Sequence, residues 1–281
     1  IYKVAADFSA TVRIDPNLTN VSEPSVSPDG TTIAFIRDGK VNIMSIDGSN
    51  PEQLYTSSLQ FRMPTWSPDS KYILVSFLVD GNWHDQIGLI DVTGKSPMLQ
   101  LTENGFSNGG PKFQMNGKMI LWFSERDGMK NVSSHGSQQD AYGLFLDQNA
   151  YDLFKMKKAD YELWQEQKEK TDKEKPKETE TPAKKGKTEK ADSTKKTEPL
   201  KIDLTGLADR QVRLTENSSF LNDAFMDPKG EKLYYLTPNE DGVNLYVRDF
   251  KEHETKMLIP LKANGVWGAS MDKDGKNIYA I

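Results

Sequence analysis

Short apolar runs recur along the chain, each placed behind a tight polar turn. The clearest copy is Pro64-Thr65-Trp66-Ser67-Pro68-Asp69-Ser70, which leads into Tyr72-Ile73-Leu74-Val75-Ser76-Phe77. Pro68 sets φ near about −65° for a turn, and Ser67 and Asp69 can hydrogen-bond their own backbone there. The run that follows is β-branched and aromatic and carries no charge. Such a run suits a strand buried on both faces.

The same arrangement returns four more times. Ser27-Pro28-Asp29-Gly30 leads into Ile33-Ala34-Phe35-Ile36, and Gln114-Met115-Asn116-Gly117 into Met119-Ile120-Leu121-Trp122-Phe123. Asp227-Pro228-Lys229-Gly230 leads into Leu233-Tyr234-Tyr235-Leu236, and Asp272-Lys273-Asp274-Gly275 into Ile278-Tyr279-Ala280-Ile281. The last turn residues fall at 30, 70, 117, 230 and 275, giving steps of 40, 47, 113 and 45. Three of these steps lie in the range of roughly 40–50 residues expected of propeller blades, and the long one is a blade plus an insertion of roughly 68 residues.

Each unit continues in the same way. A turn follows the apolar run, at Asp38-Gly39, Asp80-Gly81, Asp127-Gly128 and Asp241-Gly242, which is a hairpin signal because glycine accepts positive φ. A third strand is predicted at Val41–Ile46, Ile87–Ile90, Tyr142–Leu146 and Leu245–Val247. A short fourth is predicted at Gln53-Leu54, Leu99–Thr102, Val212–Thr215 and Lys256–Leu258. Four antiparallel strands per unit make one propeller blade. The predicted fold is therefore all-β: a partial ring of four-stranded antiparallel blades. A β-sandwich or barrel with similar turns is the alternative, and the even spacing argues against it.

Blades are expected over 21–58, 59–107, 108–217 and 218–263, with partial blades at 1–20 and 264–281. In domain terms, residues 1–149 and 200–281 are propeller, and 150–199 are an insertion. Within the insertion, Leu153, Met156, Tyr161 and Trp164 recur at spacings near three and four, which predicts an amphipathic helix over Ala150–Gln167. From Lys168 to Glu198 the sequence is almost entirely Lys, Glu, Asp, Thr, Ser and Pro, a composition that predicts disorder. Lys155–Glu198 holds 14 Lys against 11 Asp and Glu, so the stretch is nearly balanced and reads as a solvated spacer. Order is expected to return at Leu200–Leu204 and to complete the interrupted blade with Arg210–Thr215. The chain opens inside a predicted third strand (Ile1–Val4) and closes inside a second, so the pattern predicts a piece of a longer polypeptide.

Composition narrows the chemistry. The chain has 281 residues, 36% of them hydrophobic, with a net charge of −5, which gives no electrostatic footprint for nucleic acid. Cysteine is absent and only three histidines are present, so no thiolate chemistry and no close pair of metal-ligating histidines is expected. No apolar run approaches the roughly 20 residues that span a bilayer. The acidic turns lack the alternating ligand loop and terminal glutamate of a calcium site and read as turn formers. No cofactor, metal or catalytic residue is assigned.

The richest polar cluster is the loop from Glu125 to Asp140, which contains Ser133, Ser134, His135 and Asp140. Residues adjacent in one loop rarely converge as a nucleophilic triad, and no strand–Gly-x-Ser-x-Gly–helix context supports a nucleophile elbow. The loop is expected to line a substrate path, with Arg126, His135 and Asp140 as candidate substrate-binding residues. His84 is expected at a hairpin tip paired with Asp85, His253 as a salt-bridged surface residue, and Trp66, Trp122 and Trp267 in the core.

Repeats of the form Trp-Ser-Pro-Asp before a buried strand resemble the propellers of TolB and of tricorn-type proteases. The runs Leu121–Met129, Ser134–Ser137, Asp140-Ala141-Tyr142 and Ala150–Phe154 resemble bacterial tricorn-like serine peptidases. So do the Lys/Glu-rich insertion and the return through Ile202–Leu204 and Asp209–Leu214. In that family the propeller precedes a PDZ domain and a carboxy-terminal-processing-type catalytic domain, and none of the family's catalytic residues maps onto this chain. The resemblance implies a non-catalytic propeller that gates or binds peptide substrates for a downstream domain, in a protein exported to the periplasm. The implied partners are a peptide or unfolded protein, the PDZ and catalytic domains of the same polypeptide, and, as one allowed arrangement, further copies of the chain. Two alternatives remain open: a TolB-like protein-binding propeller without peptidase activity, and the propeller of a prolyl-oligopeptidase-like hydrolase.

Overall fold

The computed structural model describes residues 1–15, 17–55, 57–78, 81, 83–130, 137–174, 199–272 and 275–281. Asp80, His135, Lys273 and Asp274, and residues 175–198 of the charged stretch, lie outside the described residues.

Among the described residues, six antiparallel sheets follow one another in chain order. β1 (Tyr2–Val4) pairs with β2 (Thr11–Arg13). The next sheet holds β3 (Val21–Val26), β4 (Thr32–Arg37), β5 (Lys40–Ser45) and β6 (Glu52–Gln53). Then come β7 (Gln60–Trp66), β8 (Tyr72–Leu78), β9 (Asp85–Asp91) and β10 (Leu99–Gln100). The interrupted sheet holds β11 (Asn108–Gln114), β12 (Met119–Ser124), β13 (Asp140–Phe145) and β14 (Gln211–Arg213). β15 (Asp223–Met226), β16 (Lys232–Asn239), β17 (Gly242–Asp249) and β18 (Glu254–Ala263) form the next, and β19 (Ala269–Met271) pairs with β20 (Ile278–Ala280). In every four-stranded sheet the order in space is the order in sequence, as an up-and-down blade requires.

The second strand of each blade is apolar on both faces because it serves two cores. Ile33 and Phe35 of β4 pack towards the first sheet, while Ala34 and Ile36 join Ile73, Val75 and Phe77 of β8. Leu74 of β8 points the other way and meets Ile120 and Trp122 of β12. Met119 and Leu121 of β12 then face Ala224, Met226 and Leu233 of the next blade. Side chains alternate across a strand with period two, so one unbroken apolar run fills both neighbouring gaps. Burying each such side chain is worth about 1.5–3 kcal/mol.

The insertion departs from expectation. Helix α1 spans Gln148–Lys155 and α2 spans Lys158–Glu174, so helix reaches into the Lys/Glu-rich stretch that composition predicts to be disordered. The Asp147 side chain caps α1 by accepting from the Ala150 amide at 2.8 Å. The break falls at Met156, whose backbone is extended, and Lys251 explains it. Its ammonium donates to the carbonyls of Leu153, Phe154 and Met156 at 2.7, 3.1 and 2.8 Å, closing the helix end with a charge of the favoured sign. Phe154 packs on Phe250, and the Tyr161 hydroxyl donates to Glu231 at 2.8 Å, which fixes the helices on the blade of β15–β18.

Leu200–Leu204 forms no strand. The Leu200 amide donates to the Asp69 carboxylate at 2.7 Å and the Asp203 amide to the Leu146 carbonyl at 3.1 Å, while Leu200 and Ile202 pack against a core between two blades. Buried Arg210 holds this return, donating to the carbonyls of Phe145 and Thr205 and to Gln148 Oε1, each at 2.9 Å. Only Gln211–Arg213 completes the blade.

Candidate functional site

The first strands β3, β7, β11, β15 and β19 each pair on one side only, so each carries a free edge. Three of them are bulged at the same place. The register shifts between Ser22 and Ser25, between Arg62 and Thr65, and between Gly109 and Lys112. At the bulges Glu23, Met63 and Gly110 have φ of 52°, 55° and 63°. A proline follows each one, at positions 24, 64 and 111, six residues before the turn positions 30, 70 and 117. Proline lacks a ladder donor and is tolerated within a strand at such edges and bulges.

Side chains from one blade hold the free edge of the next. A Glu23 carboxylate oxygen accepts from the Met63 amide. Gln114 Oε1 accepts from the Met226 amide at 2.9 Å, and Asp223 Oδ2 from the Ala269 amide at 2.9 Å. The Lys112 ammonium pairs with Asp223 and reaches the Ala224 carbonyl at 3.5 Å. Beside these contacts lies a cleft of about 440 Å³, lined by Gln114, Met115, Phe225, Met226 and Met271 among others. Methionine adapts its shape to varied apolar groups, so the wall suits side chains of differing outline.

The loop after β12 lies at the opposite end of its blade from the turn of residues 115–117. The Lys130 ammonium organises it by donating to the carbonyls of Glu125, Arg126 and Gly128 at 2.7, 3.0 and 3.3 Å. The Tyr142 hydroxyl donates to Asp127. Burial, then the Asp127 contact, pushes the Tyr142 phenol well above the usual tyrosine range; the Arg126 charge opposes this shift and Asp140 adds to it. Arg126 is exposed on this loop, whereas Asp140 is fully buried. Asp140 accepts from Arg213 Nη2 at 2.8 Å, Thr215 Oγ1 at 2.7 Å and Ser218 Oγ at 2.8 Å. Its position repeats: Gln86, Asp140 and Asn244, all buried, pair with Phe77, Ser124 and Thr237 at the same register of their blades. Asp140 thus holds the hairpin from beneath, and Arg126 alone of the two reaches solvent.

Three expectations change. Asp85 faces Arg62 at 3.7 Å, and His84 Nδ1 lies 3.5 Å from Ser107 Oγ. Glu252 and Glu254 pair with Lys158 and Lys256, while the His253 ring is exposed at a turn. Trp66 and Trp122 are buried, but Trp267 is 77% exposed, because it precedes β19 instead of ending it as Trp66 ends β7. Among the described residues, no group of three or more His, Asp or Glu is placed to hold a metal ion, and no helix is long and apolar enough to cross a membrane. The capped inner edges escaped the sequence reading, although the recurrent proline six residues before the turn was a legible signal.

The fold is a TolB-like β-propeller. The chain aligns with TolB from Acinetobacter baumannii over 99% of its length at 14% identity, with a TM-score of 0.54, and covers 52% of that protein. It aligns with the tricorn protease over 96% of its length at 14% identity, with a TM-score of 0.61, and covers 25% of that chain. A putative TolB from Agrobacterium tumefaciens aligns over 92% at 15% identity, with a TM-score of 0.52, and is covered over 73% of its length. No protein-family profile matches the chain, and no curated protein matches it. The chain thus spans about half of one TolB and a quarter of the tricorn protease.

Proposed function

We propose that this chain is the non-catalytic propeller region of a tricorn-like serine protease of the periplasm, binding extended peptides and passing them to a catalytic domain of the same polypeptide. The observation that carries the reading is the set of one-sided first strands beside a methionine-lined cleft. An extended peptide can add to a strand edge through main-chain hydrogen bonds, which tolerate varied sequence, while a yielding apolar wall takes its side chains. In this reading Arg126 meets the incoming chain at the blade end, His135 is a further peptide-binding residue, and Asp140 positions the loop from beneath. The catalytic residues lie in another domain.

A TolB-like binding module for a folded protein is the second reading, favoured by the alignment of nearly the whole chain with a TolB. Labelled, reduced casein separates the two. Saturable binding of the unfolded casein without inhibitor-sensitive cleavage is expected of the first reading. Cleavage by this chain alone, or no binding of the unfolded probe, would overturn it.

A further inference from the structure

Among the described residues three side-chain acceptors cap an amide of a neighbouring first strand, and Glu23 differs from the other two. Asp223 is buried and also pairs with Lys112, and Gln114 is half-buried. Glu23 is exposed, and its partner Met63 is 50% exposed. Both residues adopt positive φ, which costs a residue with a β-carbon on the order of 1–3 kcal/mol each and persists where the surroundings hold it. Strain therefore sits on both sides of one solvent-facing hydrogen bond. The bond joins a flexible carboxylate to a main-chain amide on an open edge.

We infer that the Met63 amide is a peptide-docking donor and that Glu23 is a tethered competitor holding it closed; the inference rests on the peptide-binding reading above. The ligand chemistry is an oxygen acceptor on an extended peptide, either a main-chain carbonyl or the terminal carboxylate. Such a peptide displaces the Glu23 carboxylate into solvent, where water satisfies it, and takes the amide in its place. Asp223 cannot leave so cheaply: it is buried and its other oxygen stays tied to Lys112 and to the Ala224 amide, so the released oxygen would have no water to replace the Ala269 amide.

The test compares the full chain with Glu23→Ala and Glu23→Gln. Alanine keeps the β-carbon and the backbone strain but removes the competitor; glutamine keeps an acceptor. The probe is a short fluorescein-labelled peptide of alternating valine and serine, in free-acid and amide-capped forms, followed by fluorescence anisotropy. Thermal melts confirm that the variants fold. The expected result is binding roughly three- to tenfold tighter for Glu23→Ala, the equivalent of one competing hydrogen bond, with Glu23→Gln close to the parent. A gain for both probe forms identifies a main-chain carbonyl as the acceptor, and a gain for the free acid alone identifies the terminal carboxylate. Equal binding by the parent and Glu23→Ala overturns the gating role and leaves the peptide-binding reading standing. Binding by none of the three proteins overturns both.

Discussion

Arg210 Nε donates to the carbonyl oxygen of Phe145 at 2.9 Å, joining residues 65 positions apart on either side of the insertion. The same guanidinium reaches Gln148 at the start of α1 and the Thr205 carbonyl on the returning segment. One buried planar cation therefore pins the exit and the return of the insertion to a single blade. Lysine carries the same charge but has no fork to satisfy acceptors in several directions. Arg210→Lys is expected to cost about 3 kcal/mol, as leaving buried acceptors of a charged donor unpaired does. The urea midpoint measures the loss, and limited proteolysis should show new cuts in residues 199–206. An unchanged midpoint would mean that the staple contributes nothing.

Trp66 makes the matching contact between two earlier blades. Its indole Nε1 donates to the Ser25 carbonyl at 2.9 Å, across 41 residues, while its ring joins the core of that gap. Trp66→Phe keeps most of the apolar surface and removes the donor, so a loss of about 1 kcal/mol is expected. Trp66→Ala also opens a cavity and should cost about 3–5 kcal/mol. Equal losses for the two variants would assign the whole effect to the indole hydrogen bond, and no loss for Trp66→Phe would assign it to packing.

The central strands could be read from sequence because Ile33–Ile36, Ile73–Phe77 and Met119–Phe123 fill two cores at once, a demand that leaves no room for charge and admits one small polar residue, the buried Ser76. The first strands were harder to read. Val21–Val26 is exposed along most of its length, and its pairing shifts at a bulge. Leu200, Ile202 and Leu204 alternate like a strand, yet Leu204 is 62% exposed and the segment's amides go to Asp69 and Leu146. The candidate loop was visible as a polar cluster, but the role of Asp140 was not. Its partners Arg213, Thr215 and Ser218 stand 73 to 78 residues later, and no local pattern announces them.

Gly128 tests the architecture of that loop. A β-carbon at this position would lie 1.9 Å from the Gln138 carbonyl oxygen, which is main chain and cannot swing aside. Gly128→Ala should push the two arms of the loop apart, at a cost of about 1–3 kcal/mol. Separation also removes the Asp127 contact from the Tyr142 hydroxyl. Ultraviolet titration of the phenols should then show Tyr142 moving back towards the ordinary tyrosine value of about 10. If the tyrosine titration does not change, Gly128 is not what brings these arms together.

Two turn aspartates with opposite surroundings should give opposite pH dependence. Burial raises Asp227 above the ordinary aspartate value, with the amides of Lys232 and Glu231 opposing the shift. Its folded form therefore holds a proton that its unfolded form has released, so its contribution falls as pH rises from the ordinary value through the raised one. Asp29 is held below the ordinary value, first by the Ser27 hydroxyl and then by the Thr31 amide and hydroxyl. Its contribution is complete above the ordinary value and is lost as pH falls through the lowered one. The difference between Asp227→Asn and the parent, followed by urea unfolding from about pH 6 to about pH 3, should move against the variant as pH falls through the window above the ordinary value. The same difference for Asp29→Asn should move in the variant's favour below that value. Slopes of the same sign for the two variants would show that burial of Asp227 does not outweigh its two backbone hydrogen bonds.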